Sequence, residues 1–205
     1  MRQLKGIALV LVMIVTGGCM MNAPDVPAFE DEFTREFMKS TKELEEGFYL
    51  FESKTGGYTI WFPENATVDS SNYIKRGESR ELVNISEVYG DNLSYRLRLT
   101  YDNRSGTENI NSQLRLLSSY VDYQGEYEEF IHGDKTFYYA TTLHNVSEGS
   151  KVYYFISYIK SNANHRSVKF LYATSCNFLS ENCTIDVDQQ EEYALNLMKS
   201  VEFQE

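Results

Sequence analysis

Residues 93–101 read LSYRLRLTY. Leu93, Tyr95, Leu97, Leu99 and Tyr101 alternate strictly with Ser94, Arg96, Arg98 and Thr100. A period of two belongs to a strand whose successive side chains point to opposite faces, so this segment predicts a sheet with one buried and one wet side. ELVNISEVY precedes it across the short connection GDN, which predicts an antiparallel hairpin. Any fold for this chain must cover one face of that hairpin and leave the arginine face near water.

The neighbouring segments extend the same pattern. Residues 48–53 and 58–62 read as strands, as do 126–131 and 136–144 around HGDK, and 151–160 and 166–175 around SNAN. VYYFISYI is apolar on both faces and is expected at the centre of a sheet. Three helices are expected. In residues 29–46, Phe29, Phe33 and Phe37 recur every four positions with Leu44 continuing the stripe, and Gly47 stops it. Residues 109–124 carry Ile110, Leu114, Leu117 and Val121 on one face, ending at Gly125. Residues 186–200 carry Val187, Ala194, Leu197, Met198 and Val201, with Asp186 or Asp188 as the cap. The expected fold class is α+β: a mostly antiparallel sheet flanked by two or three helices. The expected organisation is an amphipathic helix over 29–47 and a single domain over 48–205, without repeats.

The first residues carry the address. Arg2 and Lys5 precede a continuous apolar run over residues 7–15, too short for the ~20 residues of a spanning helix. It has the proportions of a secretory signal, and Thr16, Gly17 and Gly18 lead to Cys19. These residues resemble the lipobox of bacterial lipoproteins, although Thr16 stands where that pattern has leucine. The resemblance implies a diacylglyceryl group on the Cys19 thiol, removal of a signal peptide over 1–18, and a mature protein lipid-anchored to the cell membrane on its extracytoplasmic side. Two acyl chains anchor stably where one is marginal, at ~0.8 kcal/mol per buried methylene. The same residues also read as an ordinary secretory signal or an uncleaved anchor. Residues 19–28, with Pro24 and Pro27, read as an extended tether.

With Cys19 lipidated, Cys176 and Cys183 remain, closing the loop CNFLSENC. In an oxidising compartment they read as a disulfide that contributes roughly 2.5 kcal/mol by loop-closure entropy; free thiols and a metal pair are the other readings. The formal charge is −11, and removal of the signal takes two cations and no acid. That balance argues against nucleic acid and against adsorption to anionic lipid.

No catalytic or cofactor motif appears. The histidines lie apart: His132 in the turn IHGDK, His144 at a strand end, His165 in a turn. No Gly-x-Ser-x-Gly elbow, phosphate loop, His-Glu-x-x-His or calcium loop is present, and Glu128–Glu129 would point to opposite faces of a strand. No residue is assigned to catalysis or to a metal. The chain does contain 16 tyrosines. FYY and VYYF place Tyr138, Tyr139, Tyr153 and Tyr154 on adjacent strands, and Trp61 alternates against Ile60 and Phe62. These five residues are the candidate binding surface; the competing reading is that they pack the sheet.

Three segments resemble the PsbP-like fold of small extracytoplasmic proteins. They are GGYTIWFPENA, the helix between two groups of strands, and SVKFLYATSC followed by a helix ending LMKSVEF. The resemblance covers residues 48–203 and implies an α/β/α sandwich serving as a non-catalytic accessory or binding domain. The cysteine pair between last strand and helix is not part of that pattern. The functional expectation is an anchored envelope lipoprotein that binds a protein or glycan. The alternatives are a small-ligand or glycan-binding protein with a tyrosine-lined cleft, and an envelope hydrolase, which would need an acid–base pair in a cleft.

Overall fold

The computed structural model describes residues 23–89, 93–147, 150–176 and 183–204. Cys19 and the signal segment lie outside them. The described elements are the helices α1 (Pro27–Glu30), α2 (Glu32–Arg35), α3 (Ile110–Ser119) and α4 (Val187–Lys199). The strands are β1 (Phe48–Glu52), β2 (Tyr58–Pro63), β3 (Thr67–Val68), β4 (Ile74–Arg76), β5 (Arg80–Tyr89) and β6 (Leu93–Asp102). They continue with β7 (Glu128–His132), β8 (Lys135–Ser147), β9 (Ser150–Ser161), β10 (Ser167–Cys176) and β11 (Glu202–Phe203).

The strands form two antiparallel sheets. The large one runs β3-β5-β6-β10-β9-β8-β7, with β4 also paired to β5, and the small one runs β1-β2-β11. The β5–β6 hairpin is present in the register the alternation demands, with Ile85 opposite Leu97 and Val83 opposite Leu99. VYYFISYI lies in β9, between β10 and β8.

Covering elements make this α+β arrangement a sandwich. On one face of the large sheet, Val83, Ile85, Leu97, Leu99, Phe155 and Phe170 join the small sheet, α4 and the N-terminal segment in the main core. On the other face, Leu117 and Val121, from α3 and the turn after it, cover Ala140, Ile156 and Tyr158. Gly57 marks how close the two sheets come. A Cβ there would lie 2.2 Å from the Tyr101 ring, so only glycine fits without displacing a buried aromatic.

The N-terminal expectation needs correction. Residues 29–47 do not form one amphipathic helix: α1 and α2 are four residues each, and the chain then becomes extended. Asp31 interrupts the helix and caps the second piece, its Oδ1 accepting from the Thr34 backbone N–H at 2.7 Å. Past α2 the backbone joins the edge of β1: Lys39 N–H donates to Leu50 O at 2.9 Å and Glu52 N–H to Phe37 O at 2.8 Å. Satisfying that edge outweighs continuing the helix. The phenylalanines still face inward, with Phe37 stacked on Phe51 at 4.9 Å, whereas Leu44 is exposed. The tether is also shorter than residues 19–28, because Ala28 is fully buried and its N–H donates to Glu64 O.

Candidate functional site

The expected aromatic surface does not converge on one place. Tyr139 and Tyr153 face the main core; the Tyr139 hydroxyl donates to Glu191 Oε1 of α4 at 2.8 Å. Tyr138 and Tyr154 face the opposite side, beside α3. Trp61 belongs to the small sheet, where it packs on Phe48 at 5.7 Å and its backbone N–H donates to Ser200 Oγ. The pleat explains the division, because consecutive tyrosines on a strand must part to opposite faces. Cys176 and Cys183 are bonded to each other, linking the end of β10 to the approach to α4.

One of these tyrosines does line a cavity. A groove of about 880 Å³ crosses the α3 side of the large sheet. Its floor is built from alternate residues of three strands: Arg96 and Arg98 from β6, Leu171 and Ala173 from β10, Asn84 and Ser86 from β5. Cross-strand pairing fixes this layout, with Arg96 between Ser86 and Ala173 and Arg98 between Asn84 and Leu171. Tyr154 of β9 and Tyr120 and Val121 beyond α3 make one wall; Ser71, Asn72 and Ile74 make the other. α3 ends at Ser119 and the chain turns away after Val121, with Asp122 at φ 44°, so the helix leaves this part of the sheet uncovered.

The electrostatics of the groove are unusual for so acidic a chain. Arg98 is half-buried and lies over the Tyr120 ring, 4.8 Å from its centroid. Its Nε is buried and, among the described residues, has no hydrogen-bond partner; the same holds for Thr100 Oγ1, the next residue on that face. Among the described residues neither Arg96 nor Arg98 forms an ion pair. The acid on the rim, Asp69, is engaged locally, accepting from Ser71 N–H at 2.9 Å and Asn72 Nδ2 at 2.7 Å. Those hydrogen bonds, first that from Asn72, hold its carboxyl below the usual range. By contrast, Arg80 and Arg104 both meet Asp102, at 3.7 and 2.6 Å. A buried donor without an acceptor forfeits its hydration, so such groups are rare in the absence of a purpose.

Lys169 adjoins this face, opposite Thr100 and Tyr158. Buried Lys135 and Lys160 each meet a carboxylate, Glu202 at 2.7 Å and Glu108 at 3.0 Å; among the described residues Lys169 has only the Tyr158 ring, at 5.6 Å. Burial lowers its ammonium to about 8, against an opposing pull from Asp102. Below pH 8 the folded and unfolded states both hold the proton and the burial penalty is fully present. Between pH 8 and 10 the folded state releases it first, so stability rises with pH. Lys169→Met is expected to abolish that rise and to be the more stable protein at pH 7, by about 1 kcal/mol or more. Urea midpoints of the two proteins across pH 7 to 10 check this.

A protein-family model described as "Putative lipoprotein YvcA" matches residues 24–202. The chain belongs to this family. A curated YvcA protein, from Bacillus subtilis (strain 168) and carrying the same description, is 27% identical over 235 aligned residues, covering 99% of this chain and 97% of that one. YvcA membership agrees with the lipoprotein reading of the first residues. No helix among the described residues is long and apolar enough to cross a membrane.

In the sequence alone Arg96 and Arg98 read as ordinary wet-face residues of the β6 alternation. The signal was there: two arginines on one face, opposite neutral Ser86 and Asn84, in a chain with 30 acids and 19 bases. Tyr120 carried no signal, because only the end of α3 brings it over Arg98.

Proposed function

We propose that this YvcA-family protein is a non-catalytic binding protein of the cell envelope, held by lipid on Cys19 and working through the Arg96–Arg98 groove. The groove carries the reading: two arginines that form no ion pair among the described residues line a concavity flanked by Tyr120 and Tyr154. Arginine and tyrosine dominate binding hot spots because each offers a large contact area together with directed hydrogen bonds. Lipobox and short tether support an extracytoplasmic position, with the domain close to the membrane surface. The pair Tyr120 and Tyr154 also favours a second reading, recognition of a small ligand or glycan by ring stacking.

Co-purification from chemically crosslinked membranes tests the first reading. Wild-type protein is expected to bring down a reproducible envelope component, and Arg96→Glu, which reverses an exposed groove charge, is expected to lose most of it. Repeated recovery of the protein alone, or equal recovery with Arg96→Glu, contradicts it.

A further inference from the structure

We infer that the groove takes a phosphodiester-linked chain, its phosphates held by arginines and its carbon backbone lying along the apolar floor. This deepens the binding reading above and rests on it.

Charge selects the ligand class first. In a chain of net charge −11, Arg96 and Arg98 form no ion pair among the described residues, and the one acid lining the groove, Asp69, is occupied by Ser71 and Asn72. Among the described residues the buried Arg98 Nε finds no acceptor, and neither does the buried Thr100 Oγ1 next to it on that face of β6. Nε and Oγ1 lie below the surface, so an oxyanion in the groove is met by the terminal N–H groups of the Arg98 guanidinium, which carry the same charge. Arginine forks match phosphate oxygens bidentately, and Tyr120 already stacks on Arg98 without using any of its N–H donors.

Shape then favours a chain over a single ion. A second cavity of about 210 Å³ shares Ile74, Leu82, Arg98 and Tyr120 with the groove and adds Arg76, Arg80, Thr100 and Glu81, the last a buried carboxylate already tied to Ser53, Lys54 and Tyr73. Arg76 has no ion pair among the described residues, whereas Arg80 is shared with Asp102. Cations therefore continue from Arg96 through Arg98 to Arg76 along one connected depression. Successive same-face residues of a strand are about 6.8 Å apart, within reach of neighbouring phosphates of an extended chain. Leu171 and Ala173 lie on the floor between these charges and the Tyr154 wall, an apolar surface suited to the carbons between phosphates. A volume of about 880 Å³ is that of a pocket for a multi-unit ligand, far above the ~30 Å³ of a water.

The test is calorimetric titration of the mature lipidated protein in neutral detergent at about 0.1 M salt, where charge attraction is only partly screened. The probes are poly(glycerol phosphate), glycerol 3-phosphate, and polyglutamate of matching charge. Poly(glycerol phosphate) is expected to bind, glycerol 3-phosphate at least tenfold more weakly, and polyglutamate more weakly than either. Arg96→Gln is expected to weaken the polymer about tenfold and to flatten its salt dependence by about one phosphate contact. Arg98→Lys keeps the charge and loses the fork, and is expected to weaken it several-fold. Circular dichroism confirms that each variant is folded. Absence of polymer binding by the folded wild type overturns the inference, as do equal binding of polyglutamate and indifference to both variants. A groove-dependent protein adduct from membranes, with no affinity for these phosphates, also overturns it while leaving the binding reading intact.

Discussion

Cys19→Ala is expected to transfer the protein out of the lipid phase. In detergent phase separation the wild type should partition with lipid and the variant with water. The reason is quantitative. Two acyl chains carry many methylenes at ~0.8 kcal/mol each, whereas the apolar run over residues 7–15 falls well short of the ~20 residues that span a bilayer. The lipobox resemblance also implies that cleavage before Cys19 depends on the modified thiol. The variant should therefore keep residues 1–18, which intact mass measurement reads directly. A wild-type mass without a diacylglyceryl group contradicts the anchor.

The second large effect is expected at Glu81. This carboxylate is 2% exposed and tied to three donors. It accepts from the Ser53 hydroxyl at 2.5 Å, from Lys54 N–H at 3.0 Å and from the Tyr73 hydroxyl at 2.8 Å. It thus fastens the turn after β1 and the start of β4 to β5. Burial first, then this carboxylate, push the Tyr73 hydroxyl upward; burial and the same charge do so for Tyr58. Both phenols stay protonated, and Tyr73 can keep donating. Glu81→Ala leaves these donors without an acceptor and opens a cavity, and is expected to cost about 3–5 kcal/mol. Glu81→Gln, which retains an acceptor oxygen, should cost less. Urea unfolding followed by Trp61 fluorescence measures both, and an unchanged midpoint for Glu81→Ala contradicts the role.

The strands were readable wherever one face is dry and the other wet. The Leu93–Tyr101 alternation specified its own register, because a slip of one residue would bury Arg96 and Arg98 and expose Leu97 and Leu99. The four-residue spacing of Phe29, Phe33 and Phe37 misled for a physical reason. Two short helices and an extended segment deliver the same three rings to the core, and the difference lies in the pairing of residues 37–39 with β1, a long-range term. The tyrosine-rich strands were located correctly, but their rings divide between two faces. The groove was hidden further, since it depends on where α3 ends relative to four strands distant in sequence. Only the solvent-side arginines of β6 hinted at it.

On the proposed reading a membrane-held domain meets its partner at the Arg96–Arg98 groove. Site-specific photocrosslinking in living cells tests it most directly, with one photoreactive side chain at Ser86 on the groove and another at Ile131, which is 70% exposed on β7 at the far edge of the sheet. A discrete membrane-associated adduct from Ser86 that Arg96→Glu abolishes is expected, and none from Ile131. Adducts from Ile131 alone, or a Ser86 adduct indifferent to Arg96→Glu, would contradict it.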